Sequence, residues 1–201
     1  MNTMTSSTSN PALRPATPDD AEALTELINF AGEGLAVYLW ERMAEPGETA
    51  WDVGRRRARR EEGSFSYRNA VVLEQDEKVV AALIGYPLPD APEPIDHDEM
   101  PAMFVPLQEL ENLAPGTWYV NVLATYPAQR GRGHGAALLA RAEALAAASG
   151  KRGLSIIVAD ANSGARRLYE RSGYREAARR PMVKEDWQNP SESWVLLVKS
   201  L

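Results

Sequence analysis

Residues 117–136 read TWYVNVLATYPAQRGRGHGA, an apolar run, a proline and then spaced glycines. Trp118, Tyr119, Val120, Val122 and Leu123 put aromatic and aliphatic side chains into one short stretch, which suits a buried strand better than a helix. Pro127 ends it, since proline cannot donate to a strand ladder. Gly131, Gly133 and Gly135 carry no side chain to keep the backbone from a ligand. The run AALLARAEALAAAS after them is a strong helix former that closes at Gly150. This pattern predicts a helix whose first, unpaired N–H groups face outward through glycines, with the positive end of the helix dipole behind them. Such an end binds phosphate.

Gly131, Gly133 and Ala136 also satisfy a loose dinucleotide-binding fingerprint, with Asp160 as the ribose-binding acid. On that reading the chain is an NAD(P)-binding oxidoreductase. Against it, residues 125–130 insert a turn where the fingerprint needs the strand to feed into the first glycine. Leu201 also comes too soon for the second half of a doubly wound fold. A third reading makes the glycines only a tight strand-to-helix corner.

Three blocks carry a family resemblance. Arg130-x-x-Gly133-x-Gly135 resembles the acyl-CoA pyrophosphate loop of the GCN5-related N-acetyltransferases, the GNAT superfamily. Asn162-x-x-Ala165-x-x-Leu168-Tyr169-Glu170-x-x-Gly173-Tyr174 resembles a second block of that family, and the stretch from Leu13 to Asp20 its first strand and helix entry. The resemblance implies an α/β acyltransferase fold with a mixed, mostly antiparallel sheet flanked by helices. It also implies acetyl-CoA as cosubstrate, with no metal.

The remainder of the chain is consistent with one domain spanning residues 1–201, long enough to bury a core, with 44% apolar and 25% charged residues. There is no cysteine, so any thiol chemistry belongs to a cofactor. The polar first ten residues have no hydrophobic signal core and read as disordered in a cytoplasmic protein. A net charge of −6 speaks against nucleic-acid and anionic-membrane partners. Thr17-Pro18-Asp19-Asp20 is a helix start, with Ala21, Leu24, Leu27, Ile28 and Ala31 at helical spacing. Residues 35–62 predict one or two helices broken near Pro46-Gly47, with Leu35, Leu39 and Met43 on one face; the resemblance places this region over the acceptor site. Arg55, Arg56, Arg57, Arg59 and Arg60 read as a solvated helix face rather than a phosphate-binding strip, given the acids beside them.

Residues 69–75 and 78–86 predict a hairpin turning at Asp76-Glu77. From Pro87 to Gly116 the chain is proline-rich and holds seven acids and no Lys or Arg. This insertion is either an acidic lid that attracts a cationic amine or a packing segment. His97 in it reads as a surface residue, and the apolar side of residues 100–114 as core or as a homodimer contact. Residues 154–159 predict a strand, 162–172 a helix capped by Asn162, and 174–180 and 193–199 the last two strands. The loop from Pro181 to Pro190 is placed to line the acceptor cleft.

The resemblance implies how the parts work together. The strands before Tyr126 and after Gly153 splay and admit the pantetheine arm, which meets the backbone of Leu123, Ala124 and Thr125 and the amide of Asn162. The N–H of Leu123 polarises the thioester carbonyl, and the amides of Gly131, Arg132, Gly133, His134, Gly135 and Ala136 hold the pyrophosphate. Tyr169 is the candidate acid to the departing thiolate. Where some members carry a glutamate base this chain has Tyr119, with Asn121 as its neighbour on the same face. The base is then a water held by Tyr119 or Asn121, a lid carboxylate (Glu109 or Glu111), or Glu33. The expected reaction is acetyl transfer to a primary amine of a small cationic molecule, such as a polyamine, an aminoglycoside or a basic amino-acid derivative. The alternative is a CoA-sensing module without chemistry.

Overall fold

Alternation of apolar residues builds the sheet. In the computed structural model, which describes residues 11–201, Val71, Leu73, Ala81 and Leu83 face one core while Ala70, Val72, Ala82 and Ile84 face the other. The expected disorder of residues 1–10 falls outside the described residues. The strands are β1 (Ala12–Pro15), β2 (Ala70–Gln75), β3 (Lys78–Pro87), β4 (Trp118–Thr125), β5 (Gly153–Ala159), β6 (Arg175–Pro181) and β7 (Ser193–Ser200). They form one seven-stranded sheet in the order β1-β2-β3-β4-β5-β7-β6, in which only the β4–β5 pair is parallel. A doubly wound dinucleotide fold needs a mostly parallel sheet, so the oxidoreductase reading has no scaffold here.

Helices α1 (Ala21–Ala31), α2 (Leu35–Met43) and α3 (Ala50–Ala58) cover one face through Leu24, Leu27, Trp40 and Val53. On the opposite face lie α5 (His134–Ala148) and α6 (Ser163–Arg171), packed through Leu138, Leu139, Ala142 and Tyr169. Each fully buried leucine such as Leu138 contributes about 1.5–3 kcal/mol relative to exposure. Between them in sequence, α4 (Val105–Glu111) lies on the α1–α3 side, where Leu110 packs with Leu196. The 100–114 stretch therefore buries Met103, Pro106 and Leu110 in the core, while Leu113 is exposed.

The inward face of α2 differs from the expected one. Ala36 and Trp40 are buried, Leu35 and Leu39 only partly so, and Met43 is exposed. Trp40 has the largest apolar surface to remove from water, and it turns inward to meet Trp51 edge-on with ring centroids 6.4 Å apart. The arginine cluster is paired in part: Arg55 bonds Glu22 and Asp52, and Arg56 bonds Glu48, while Arg57 is half-buried with its Nε unpartnered among the described residues. The acidic segment is also partly paired, Asp90 with Lys151 and Glu109 with Arg180.

Two features of β4 shape the site. Ile84 pairs with Val122 and Gly85 with Val120, so Asn121 is the extra residue of a β-bulge. Gly85 is required there: a Cβ on it would lie 2.2 Å from the Trp118 ring. The bulge reverses the alternation, so Trp118 and Val120 face the α5 core while Val122 and Ala124 face the α1 core. In addition, β4 bonds β5 only from Trp118 to Val120, opposite Leu154 to Ile156. Beyond that, β4 stays with β3 and β5 with β7, and the sheet opens.

Candidate active site

The opening leads to the N-terminus of α5. Pro127–Gln129 form a single 3-10 turn, and the Nε of Arg130 then donates to the Thr125 carbonyl at 3.2 Å, folding the loop back against the strand end. Gly131 and Gly133 have φ of 76° and 84°, a region that costs an L-residue with a Cβ, and Gly133 is the N-cap of α5. A Cβ on either would meet nothing within 4 Å, so the backbone borders open space. Gly135 differs, because a Cβ there would lie 2.8 Å from Leu168 of α6. His134 is 6% exposed, and its Nε2 is buried without a partner among the described residues. A helix N-terminus, an uncrowded glycine cradle and an orphaned buried nitrogen together fit a phosphate-bearing cosubstrate.

A cavity of about 870 Å³ runs from this loop through the gap between β4 and β5 to the other face of the sheet. Leu123, Ala124 and Thr125 line it on β4, with Gly131, Gly133, His134, Gly135 and Ala136 at the loop. Asn162 and Tyr169 border it from the α6 side. Of the residues expected to hold the cosubstrate, Arg132 alone lies outside this wall, with its side chain exposed. Asn162 caps α6, its Oδ1 accepting from the Ala165 N–H at 3.1 Å while its Nδ2 donates to Glu33 at 2.8 Å. Tyr169 is 5% exposed, and burial raises its phenol above the usual range, so it stays protonated at neutral pH.

Sequence reasoning did not single out Arg167 and Arg171, which line the cavity from α6, or Phe30, Trp187 and Trp194, which border it elsewhere. The arginines carried a signal in their i, i+4 spacing on a helix whose first residues follow the Asn162 cap. Trp187 lies in the 181–190 loop that was expected to line the cleft, but neither tryptophan was distinguished locally, since one sits in that loop and the other in β7 and they meet only in the fold, stacked 6.1 Å apart at 11°. Helices α2 and α3, expected over the acceptor site, do not border the cavity; the end of α1 and the α1–α2 loop before them do, through Phe30 and Glu33.

The proposed base positions separate in space. Tyr119 is 4% exposed and lies behind the wall, edge-on to Tyr86 at 5.8 Å. Asn121 lines the cavity and donates from Nδ2 to the Tyr86 hydroxyl at 3.3 Å. Glu109 is held by Arg180 at 2.6 Å. Glu111 is half-buried beside the proline-rich segment, and desolvation, helped by the charge of Glu93, pushes its carboxyl up to about 7. Glu33 borders the cavity; its Oε1 accepts from Asn162 and its Oε2 from Asn189, each at 2.8 Å. Its backbone takes φ of 52°, a conformation costing on the order of 1–3 kcal/mol in a non-glycine residue. The Trp187 indole N–H donates to its carbonyl at 3.4 Å, so the β5–α6 and β6–β7 loops both converge on this one residue.

The model of the acetyltransferase (GNAT) family matches residues 30–174. Among solved structures, the chain is similar to an acetyltransferase with 21% identity, a TM-score of 0.65 and coverage of 94% of this chain and 98% of the other. A GNAT family acetyltransferase from Elizabethkingia anophelis with acetyl-CoA bound is 15% identical, with a TM-score of 0.60 and coverage of 96% and 99%. A mosquito arylalkylamine N-acetyltransferase like 5b is 18% identical, with a TM-score of 0.65 and coverage of 96% and 100%. No curated protein matches the chain in sequence. Among the described residues, no helix is long and apolar enough to cross a membrane.

Proposed function

The chain belongs to the acetyltransferase (GNAT) family, and from that premise we propose that it moves the acetyl group of acetyl-CoA to the nitrogen of a small-molecule primary amine. One observation carries the reading: a single cavity joins the α5 N-terminus and its orphaned His134 nitrogen to Tyr169 through the gap between β4 and β5. Acetyl-CoA supplies the acetyl group as a thioester, and the substrate's ammonium group first loses one proton. A C–N bond to the neutral amine then forms as the C–S bond breaks, and the second N–H proton balances the one received by sulfur, so that ammonium and thioester give an amide, the CoA thiol and one proton.

The chain's own groups divide this work. The backbone amides of Gly131 to Ala136 and the dipole of α5 hold the pyrophosphate, with Arg130, Arg167 and Arg171 adding positive charge at that end of the cavity. Leu123, Ala124 and Thr125 line the gap as the backbone edge for the pantetheine arm, and the N–H of Leu123 polarises the acetyl carbonyl. Tyr169 donates its hydroxyl proton to the leaving sulfur. Burial that makes the phenol a weaker acid also penalises a thiolate in the same place, so the order of their proton affinities is not fixed by their values in water, about 10 and 8.5.

Release of free thiol from acetyl-CoA, followed over a panel of primary amines and their matched alcohols, tests this function. Thiol release that depends on an amine, with the acetyl amide as the product, supports it. Tight acetyl-CoA binding with no release on any amine would leave a CoA-binding module without chemistry.

A further inference from the structure

Across the sheet from the α5 loop, the cavity wall holds one carboxylate and three aromatic rings. Glu33 is the only carboxylate among the described residues that line the cavity. Its oxygens are fixed by Asn162 and Asn189, amides from two different loops, and an accepted hydrogen bond leaves each oxygen a further lone pair. Around it stand Phe30, 41% exposed and edge-on to Tyr126, and the parallel pair Trp187 and Trp194. An ammonium group there gains from the negative charge and from the ring faces, and an apolar substituent gains from the ring area.

A polycation fits this wall poorly. A second ammonium finds no second carboxylate among the described residues of the cavity, and towards the loop it meets Arg130, Arg167 and Arg171. The acidic segment does not supply the missing charge: Asp90 and Glu109 are paired with Lys151 and Arg180, and no acid of residues 87–116 borders the cavity.

Resting on the acetyl-transfer reading, we infer that the acceptor is a monocationic amine bearing an apolar or aromatic group, and that Glu33 selects it by receiving its ammonium group among Phe30, Trp187 and Trp194. This turns the acceptor away from polyamines and aminoglycosides.

Calorimetric titration in the presence of free CoA tests the inference without requiring turnover. The ligands are 2-phenylethylamine, its neutral analogue 2-phenylethanol, and spermidine, each titrated into the wild-type chain and into Glu33→Gln. The wild type is expected to bind 2-phenylethylamine at least about tenfold more tightly than either other ligand, and Glu33→Gln to lose at least about tenfold of the preference for amine over alcohol. Tighter binding of spermidine, or no binding of the arylalkyl amine, overturns the inference. So does an equal loss of amine and alcohol in Glu33→Gln, which assigns Glu33 a purely structural role. If 2-phenylethylamine binds as expected but is never acetylated, the selection by Glu33 stands and the acetyl-transfer reading fails. If spermidine is acetylated in preference, the transfer reading stands and this inference falls.

Discussion

Tyr169 borders the cavity with its ring packed 6.0 Å from that of Tyr174, so its position is set by the core rather than by a ligand. Tyr169→Phe keeps that packing and removes only the hydroxyl. Turnover with an accepted amine should fall by more than about tenfold while acetyl-CoA still binds; unchanged turnover would take Tyr169 out of the mechanism. Glu111 invites a test of stability instead. Its carboxyl is pushed up to about 7 by burial, against 4.5 for the unperturbed group, so the folded state holds this proton more tightly than the unfolded state. The sign follows: its contribution is fully present below about pH 4.5 and is lost as pH rises through about 7, when a charge must sit in the desolvated site. Glu111→Gln should therefore raise stability relative to wild type by on the order of 2–3 kcal/mol at pH 8.5 and by little at pH 4.5. Denaturant unfolding of both proteins at the two pH values measures the difference, and a variant equally stable relative to wild type at both would contradict the burial argument.

The strand-turn-helix unit from β4 to α5 was the most legible part of the chain. Its apolar run, proline and glycines are local signals, and strand, turn and helix appear where those signals put them. Gly133 shows why the signal is strong: φ of 84° suits glycine, and the helix begins one residue later. Gly133→Ala should cost about 1–2 kcal/mol of stability, lowering Tm by about 2–8 °C. It should also weaken acetyl-CoA binding, because the added methyl occupies the space beside the N–H groups. A variant that loses stability yet binds acetyl-CoA as tightly as wild type would separate this loop from the pyrophosphate. What was not legible is non-local. The bulge at Asn121 follows from Trp118 crossing Gly85 on the neighbouring strand, and the inward face of α2 from the space available to Trp40. The grip on Glu33 joins residues 129 and 156 positions apart in the chain, a distance over which no spacing rule operates.

The whole molecule is two cores on opposite faces of one sheet, and the gap between β4 and β5 is the passage between them. The cavity is lined from the α5 side by the glycine loop and from the other face by the α1–α2 and β6–β7 loops, and under the proposed function these are the cosubstrate and acceptor ends, meeting at Tyr169 through the break in the sheet. Binding at that break bridges strands that have no hydrogen bonds to each other there, and a ligand that binds only the folded chain raises its stability by mass action. Thermal unfolding with and without acetyl-CoA, beside a parallel series with NAD, addresses this arrangement most directly. At a hundredfold over its Kd a ligand adds about 2.7 kcal/mol, which at this chain length raises Tm by about 5–10 °C. The expected result is a rise of that size with acetyl-CoA and none with NAD; no rise with acetyl-CoA, or an equal rise with NAD, would contradict the assignment of the cavity.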